Sequence, residues 1–184
     1  MKSTFAALAA VALLGGCTQV GASKDSGGVN QEMIDRMAIT DLLNRYYAEF
    51  GAESAIGFND YYTDDAVFDV NGQVANGKAE IQKIYAGLGE ESPSNGGTFH
   101  MLMTNPVIDI KGDTATAKLL WTGILNDSID GPPKFVEQGR EYDRLVKKGG
   151  KWLIEKRVVI ADSALPARYQ PTYQPRLDYD IAKD

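Results

Sequence analysis

The chain has a single cysteine and a single histidine in 184 residues, and fewer basic than acidic side chains. One thiol can form no internal disulfide, so stability must come from the core. A formal net charge of −6 and a sequence pI near 4.9 argue against nucleic acid or anionic lipid as a partner, since both need basic patches. No apolar run reaches the ~20 residues that cross a bilayer as a helix. One histidine with scattered acids offers no metal-ligand cluster, so neither metal nor cofactor is expected. Gly72, Gly77 and Gly96-Gly97 match no phosphate loop, and there is no Gly-x-Ser-x-Gly elbow.

What is present begins at the N-terminus. Lys2 is followed by an apolar run from Phe5 to Leu14 that closes on Leu14-Gly15-Gly16-Cys17. A charged start, a short apolar stretch and small residues before a cut site are the parts of a secretory signal. Leu-Gly-Gly-Cys resembles the lipobox of bacterial lipoproteins. That resemblance implies cleavage before Cys17, a diacylglyceryl group on its thiol, and anchoring on the periplasmic side of a membrane. By resemblance to lipoprotein sorting rules, Thr18 in place of an aspartate after Cys17 implies the outer membrane if the cell is Gram-negative. Two or three acyl chains hold a protein to a membrane stably. Removal of residues 1–16 takes away one Lys and no acid, so the net charge falls from −6 to −7. The segment 18–30 is small and polar and reads as a flexible tether.

Residues 31–162 have the length of one domain. Apolar residues recur near a 3.6 period at Met33, Met37, Ile39, Leu42, Leu43, Tyr46, Tyr47 and Phe50, which predicts an amphipathic helix over 31–50. A second helix is expected over 55–62, a strand over 66–70, a tight turn at Asn71-Gly72, and a third helix over 78–88. The period then changes to two. Four strands are expected over 98–110, 114–125, 134–146 and 151–161, with Lys111-Gly112-Asp113 and Lys148-Gly149-Gly150 as hairpin turns. Helices first and a strand meander afterwards describe an α+β domain with helices on one face of a curved antiparallel sheet. The tail, 163–184, is rich in Pro and Tyr and either wraps the domain or stays loose.

Six pieces carry a family resemblance: Ile39-x-Asp41-Leu42-Leu43-x-Arg45-Tyr46, Tyr62-Thr63-Asp64-Asp65-Ala66-Val67-Phe68, Gly77-Lys78-Ala79-Glu80-Ile81, His100-x-x-x-x-Asn105, Gly139-Arg140-x-Tyr142-Asp143 and Gly150-x-Trp152-x-Ile154-x-x-Arg157. In this order the chain resembles the SnoaL-like branch of the NTF2-like superfamily. The resemblance implies a cone of three helices on a curved sheet, with a pocket between the sheet and the first helix. Its relatives include scytalone dehydratase, ketosteroid isomerase and a dehydrochlorinase, which move a proton on an apolar substrate. In two of these, a histidine at the position of His100 is oriented by an aspartate, and here that aspartate position falls on Gly51.

Two function classes follow. One is a cofactor-independent lyase or isomerase with His100 as general base and Asp41, Tyr46 or Tyr47 as polar helper, acting on a small, largely apolar or aromatic molecule. Phe50, Phe68, Leu102, Trp121 and Tyr142 would line its pocket. The other is a lipoprotein that binds such a molecule, or a protein partner, without chemistry. Each candidate has a plain counterpart: His100 as a hydrogen-bonded pocket residue, Asp41 as a partner of Arg45, the aromatics as core. If His100 points into the cone, Leu102 and Thr104 do so too, while Phe99, Met101 and Met103 form an outer apolar patch. That alternation leads to an expected homodimer burying those three residues.

Overall fold

The computed structural model describes residues 26–49, 60–90, 98–163 and 171–184. Helix α1 (Ser26–Glu49) buries Asp35, Ile39, Leu42, Leu43, Tyr46 and Tyr47. Their spacing of three and four gives a single stripe. Met33 and Met37, expected in that stripe, are exposed instead. The reason is Asp35, whose carboxylate accepts hydrogen bonds from Trp152 Nε1 at 3.0 Å and Lys147 Nζ at 2.6 Å. Two residues along a helix turn a side chain by roughly 200°, so seating Asp35 inward sends both methionines outward.

Strand β1 (Tyr62–Val70) already contains Tyr62, the last residue of the expected second helix; the rest of that stretch, 55–59, lies outside the described residues, save a short helical turn at Asp60 and Tyr61. Asn71 and Gly72 both adopt left-handed backbone, φ 56° and 88°. Such a pair is what a two-residue hairpin turn requires. It leads into an unexpected four-residue strand, β2 (Gln73–Asn76), and then helix α2 (Lys78–Glu90). Among the described residues there are thus two helices rather than the three expected. The long strands β3 (Thr98–Lys111), β4 (Thr114–Asn126), β5 (Lys134–Lys148) and β6 (Lys151–Ser163) fall within two residues of their expected bounds.

The strands form one six-stranded sheet in the order β2-β1-β6-β5-β4-β3. All neighbours are antiparallel except β1 and β6, which run parallel. Both helices contribute to one core with the same sheet face, through Ile39, Leu43 and Ile81 against Phe68, Leu119, Leu145 and Ile154. Each fully buried aliphatic of this set gains about 1.5–3 kcal/mol over exposure. That face is called inner below. On the outer face a separate cluster joins Tyr142, Val158 and Ile160 to Ile181 and Tyr179 of the tail. The described tail residues therefore wrap the sheet. Tyr173 donates to the Ala161 carbonyl at 3.0 Å, Arg176 pairs with Asp69 at 2.9 Å, and Lys156 pairs with Asp184 at 2.6 Å.

Candidate functional site

Strand β5 alternates, so Glu137, Gly139, Glu141 and Asp143 turn to the inner face, and all four are buried. Beside them on β6, Arg157 stands opposite Asp143. Its guanidinium holds Asp143 through two hydrogen bonds, Nε at 2.7 Å and Nη2 at 3.1 Å. Nη2 also lies 3.0 Å from Glu141 Oε1 as an ion pair. From α1, Tyr46 lays its ring 3.9 Å from the guanidinium carbon, and Tyr47 donates its hydroxyl to Glu141 Oε2 at 2.6 Å. Tyr46 and Tyr62 each share a hydrogen bond with the Tyr85 hydroxyl, the second at 2.8 Å. Phe68 stacks on Tyr85 with centroids 5.3 Å apart.

Burial decides the electrostatics. It pushes the Glu141 carboxyl up to about 8; Arg157 opposes the rise and Asp143 adds to it. Burial also drives the hydroxyls of Tyr47, Tyr62 and Tyr85 well above the usual tyrosine range. For Arg157 burial works downward, but the carboxylates of Asp143 and Glu141 outweigh it and hold the guanidinium charged. The network is therefore an Arg157–Asp143 pair beside a Glu141 carboxyl that burial makes hold its proton well above the usual carboxylate range.

Two buried donors of this inner face, Arg157 Nη1 and Trp121 Nε1, find no hydrogen-bond partner among the described residues, and Glu141 Oε1 has only its ion pair with Arg157. Trp121 stands opposite Gly139, and its indole lies where a Cβ on Gly139 would sit, 2.4 Å away. Glu141 is the next inward residue along β5, and such diagonal neighbours are about 7–8 Å apart. A buried donor left unpaired costs about 1–3 kcal/mol, so such atoms need a water or a ligand. Chemically the set can donate hydrogen bonds from Trp121 and Arg157 and exchange a proton at Glu141.

The structure brings together Tyr46, Tyr47, Phe68 and Trp121 of the expected residues. It does not bring His100. Met101 and Met103 pack on the inner core while His100, Leu102 and Thr104 are exposed. The strand alternation is the reverse of the inward-histidine reading, and the three residues expected as an outer patch, Phe99, Met101 and Met103, belong to the inner side. Asp41 is exposed and accepts from Arg45 Nε at 2.7 Å, one turn along α1. Tyr142 faces outward, against Tyr179 of the tail at 5.0 Å. Phe50 and Gly51 lie outside the described residues. The residues missed from sequence are Glu141, Asp143, Arg157, Tyr62 and Tyr85. Tyr62, Asp143 and Arg157 stood within the family motifs but were given no role there.

A family model described as a SnoaL-like domain matches residues 31–158. No curated protein sequence matches the chain. Among solved structures, it is similar to an NTF2-like protein with a cystatin-like fold from Novosphingobium aromaticivorans, with 17% identity over 82% of this chain and 97% of that one and a TM-score of 0.64. A putative scytalone dehydratase from the same organism is 16% identical over 73% of this chain and 89% of that one, TM-score 0.60. A protein of unknown function from Mycobacterium tuberculosis is 23% identical over 76% of this chain and 78% of that one, TM-score 0.62. At these identities the likeness is one of fold.

Proposed function

The chain belongs to the SnoaL-like family, and on that premise we propose that it is an exported, lipid-anchored protein that binds a small, largely apolar molecule between α1 and the inner sheet face. On this reading Glu141 is its proton-transferring group. The observation that carries the proposal is the fully buried Glu141 carboxyl, pushed up to about 8 and hydrogen-bonded by Tyr47. An acid with its midpoint near the working pH is suited to both giving and taking a proton, and strongly perturbed carboxyls mark functional sites. The unpartnered Trp121 Nε1 and Arg157 Nη1 supply donors for an oxygen of the ligand. Tyr46, Phe68 and Leu119 supply apolar walls. The reaction class is cofactor-independent lyase or isomerase chemistry, with the base moved from His100 to Glu141. The anchor rests on Lys2, the run Phe5–Leu14 and Leu14-Gly15-Gly16-Cys17, with the outer membrane as destination.

A second reading, a carrier that binds the same molecule without chemistry, is favoured by Gly51 at the aspartate position of the catalytic relatives. Mass spectrometry of small molecules retained by the purified protein identifies the compound to assay. With that compound, Glu141→Gln keeps the shape and the acceptor for Tyr47 while removing the titration. Turnover should fall by roughly 10²–10⁴-fold with the fold intact. Full activity in that variant sinks the catalytic assignment, and retained compound without turnover in the native protein establishes the carrier. For the anchor, Cys17→Ser should release the protein from membranes.

A further inference from the structure

The solvent face of α1 changes character along its length. At its N-terminal end Met33, Ile34 and Met37 are 58%, 55% and 71% exposed, whereas Asp41, Asn44 and Arg45 occupy the exposed positions further on. Three large apolar side chains on less than two turns of helix form a patch of the kind that marks an interaction site. The inner core does not need them, because Asp35 and Ile39 fill the inward positions of the same turns.

We infer that this patch rests on the lipid surface, so that the domain sits on the membrane with the N-terminal end of α1 against it. The inference rests on the proposed acylation of Cys17. From Cys17 to Ser26 the chain spans at most roughly 30 Å fully extended, and Met33 lies about 10 Å further along the helix. The patch is thus confined near the bilayer by the anchor. Tethering of this kind creates an effective concentration of the order of millimolar, so a weak contact is enough. Electrostatics select the kind of surface. The exposed charges flanking the patch cancel in pairs, Arg36 with Glu32 at 3.1 Å and Arg45 with Asp41 at 2.7 Å. The patch accordingly fits a zwitterionic headgroup layer, into which methionine's flexible, unbranched side chain inserts readily.

The test uses the full-length lipidated protein on phosphatidylcholine vesicles. Met33→Cys, Met37→Cys and Asn44→Cys, each labelled with an environment-sensitive fluorophore, are compared using quenchers carried on the lipid chains. Flotation with the vesicles reads the anchor, and quenching reads the patch. Labels at 33 and 37 should shift to the blue and be quenched several-fold more strongly than the label at 44. Equal quenching at all three positions in protein that floats overturns the inference and leaves the anchor standing. Failure of the wild-type chain to float removes the anchor, and the inference with it. Shielding of the labels at 33 and 37 in the Cys17→Ser chain without vesicles, with twice the monomer mass in light scattering, overturns it in favour of a second copy.

Discussion

Along β5, Glu141 and Asp143 turn toward α1, while Arg140, Tyr142 and Arg144 turn to the opposite side. Each face holds an arginine against a carboxylate in two-pronged geometry. Outside, Arg140 meets Asp162 through Nε at 2.9 Å and Nη2 at 2.7 Å. Inside, Arg157 meets Asp143 at 2.7 and 3.1 Å. The chemistry is the same and the surroundings differ. The outer pair keeps part of its contact with water, Asp162 more than Arg140, so making or losing it changes less. The inner pair has given up its hydration entirely, and removing one partner strands a charge in a low dielectric. What an ion pair contributes is thus set by the face it occupies.

The sharpest break of that comparison is a pair of truncations. Arg157→Ala should destabilise the fold by about 3–5 kcal/mol, and Arg140→Ala by about 1 kcal/mol or less. Urea midpoints at unchanged slope measure both, and equal losses would refute the contrast. A second test uses pH. The folded-state pKa of Glu141 is raised from 4.5 to about 8, so the folded protein holds this proton more tightly than the unfolded chain. Its contribution is full below pH 4.5, declines as pH rises through that window, and levels off above 8. Glu141→Gln should flatten this decline. The outer face runs the other way. Lys156 and Tyr179 hold the Asp184 carboxyl below its ordinary range, so its contribution is present at neutral pH and is lost in acid. Lys156→Ala should diminish the acid-side loss and leave the alkaline-side decline untouched.

The meander, its turns and the α+β class could be read from period and turn chemistry, because β3 to β6 each obey one rule along most of their length. Strand β2 was not, since four residues carry too little alternation to register. The inner site was hidden for a physical reason. In the sequence Glu137, Glu141 and Asp143 fall on the same alternate positions as Phe135 and Leu145, while Val136, Tyr142 and Val146 fall on the others. Neither set is the apolar one, and the pairing of β5 with β4 skips Val136, which turns Phe135 to the outer face. Carboxylates are rarely buried unless paired, and the pairing lies with Arg157 on another strand. On β3 the plain count was the better guide. Phe99, Met101 and Met103 outnumber Leu102 as large apolar residues, and they are the ones that turn inward. Met33 and Met37 failed for the complementary reason, an aspartate holding the inward position through a tryptophan and a lysine distant in sequence.

A smaller effect is expected where the tail meets the outer face. Ile181 is buried against Tyr142, Val158 and Ile160, so Ile181→Ala should cost about 2 kcal/mol, the low end for an aliphatic truncated to alanine. A loss within ~0.5 kcal/mol, as for an ordinary surface change, would mean that the tail does not pack on the sheet in solution.

The smallest effect on folding, and the most informative about assembly, belongs to the part of the outer face that the tail leaves open. Phe135 is 77% exposed and Leu102 44%, and Phe135 stands opposite Ile124, which stands opposite His100. Exposed apolar side chains grouped on a sheet mark an association surface. The homodimer expected from the sequence would therefore use Leu102, Ile124 and Phe135, with His100 at the contact, in place of the inward-turned Phe99, Met101 and Met103. Phe135→Asp and Leu102→Asp remove no buried contact within one chain, so each should change monomer stability by no more than about 0.5 kcal/mol. A charge placed on both sides of a two-fold contact should nevertheless separate it, since like charges meet across the axis. Light scattering of the Cys17→Ser chain at micromolar concentration should give a dimer, and either variant a monomer. A monomeric parent chain would refute the assembly and leave the outer face as the tail's support alone.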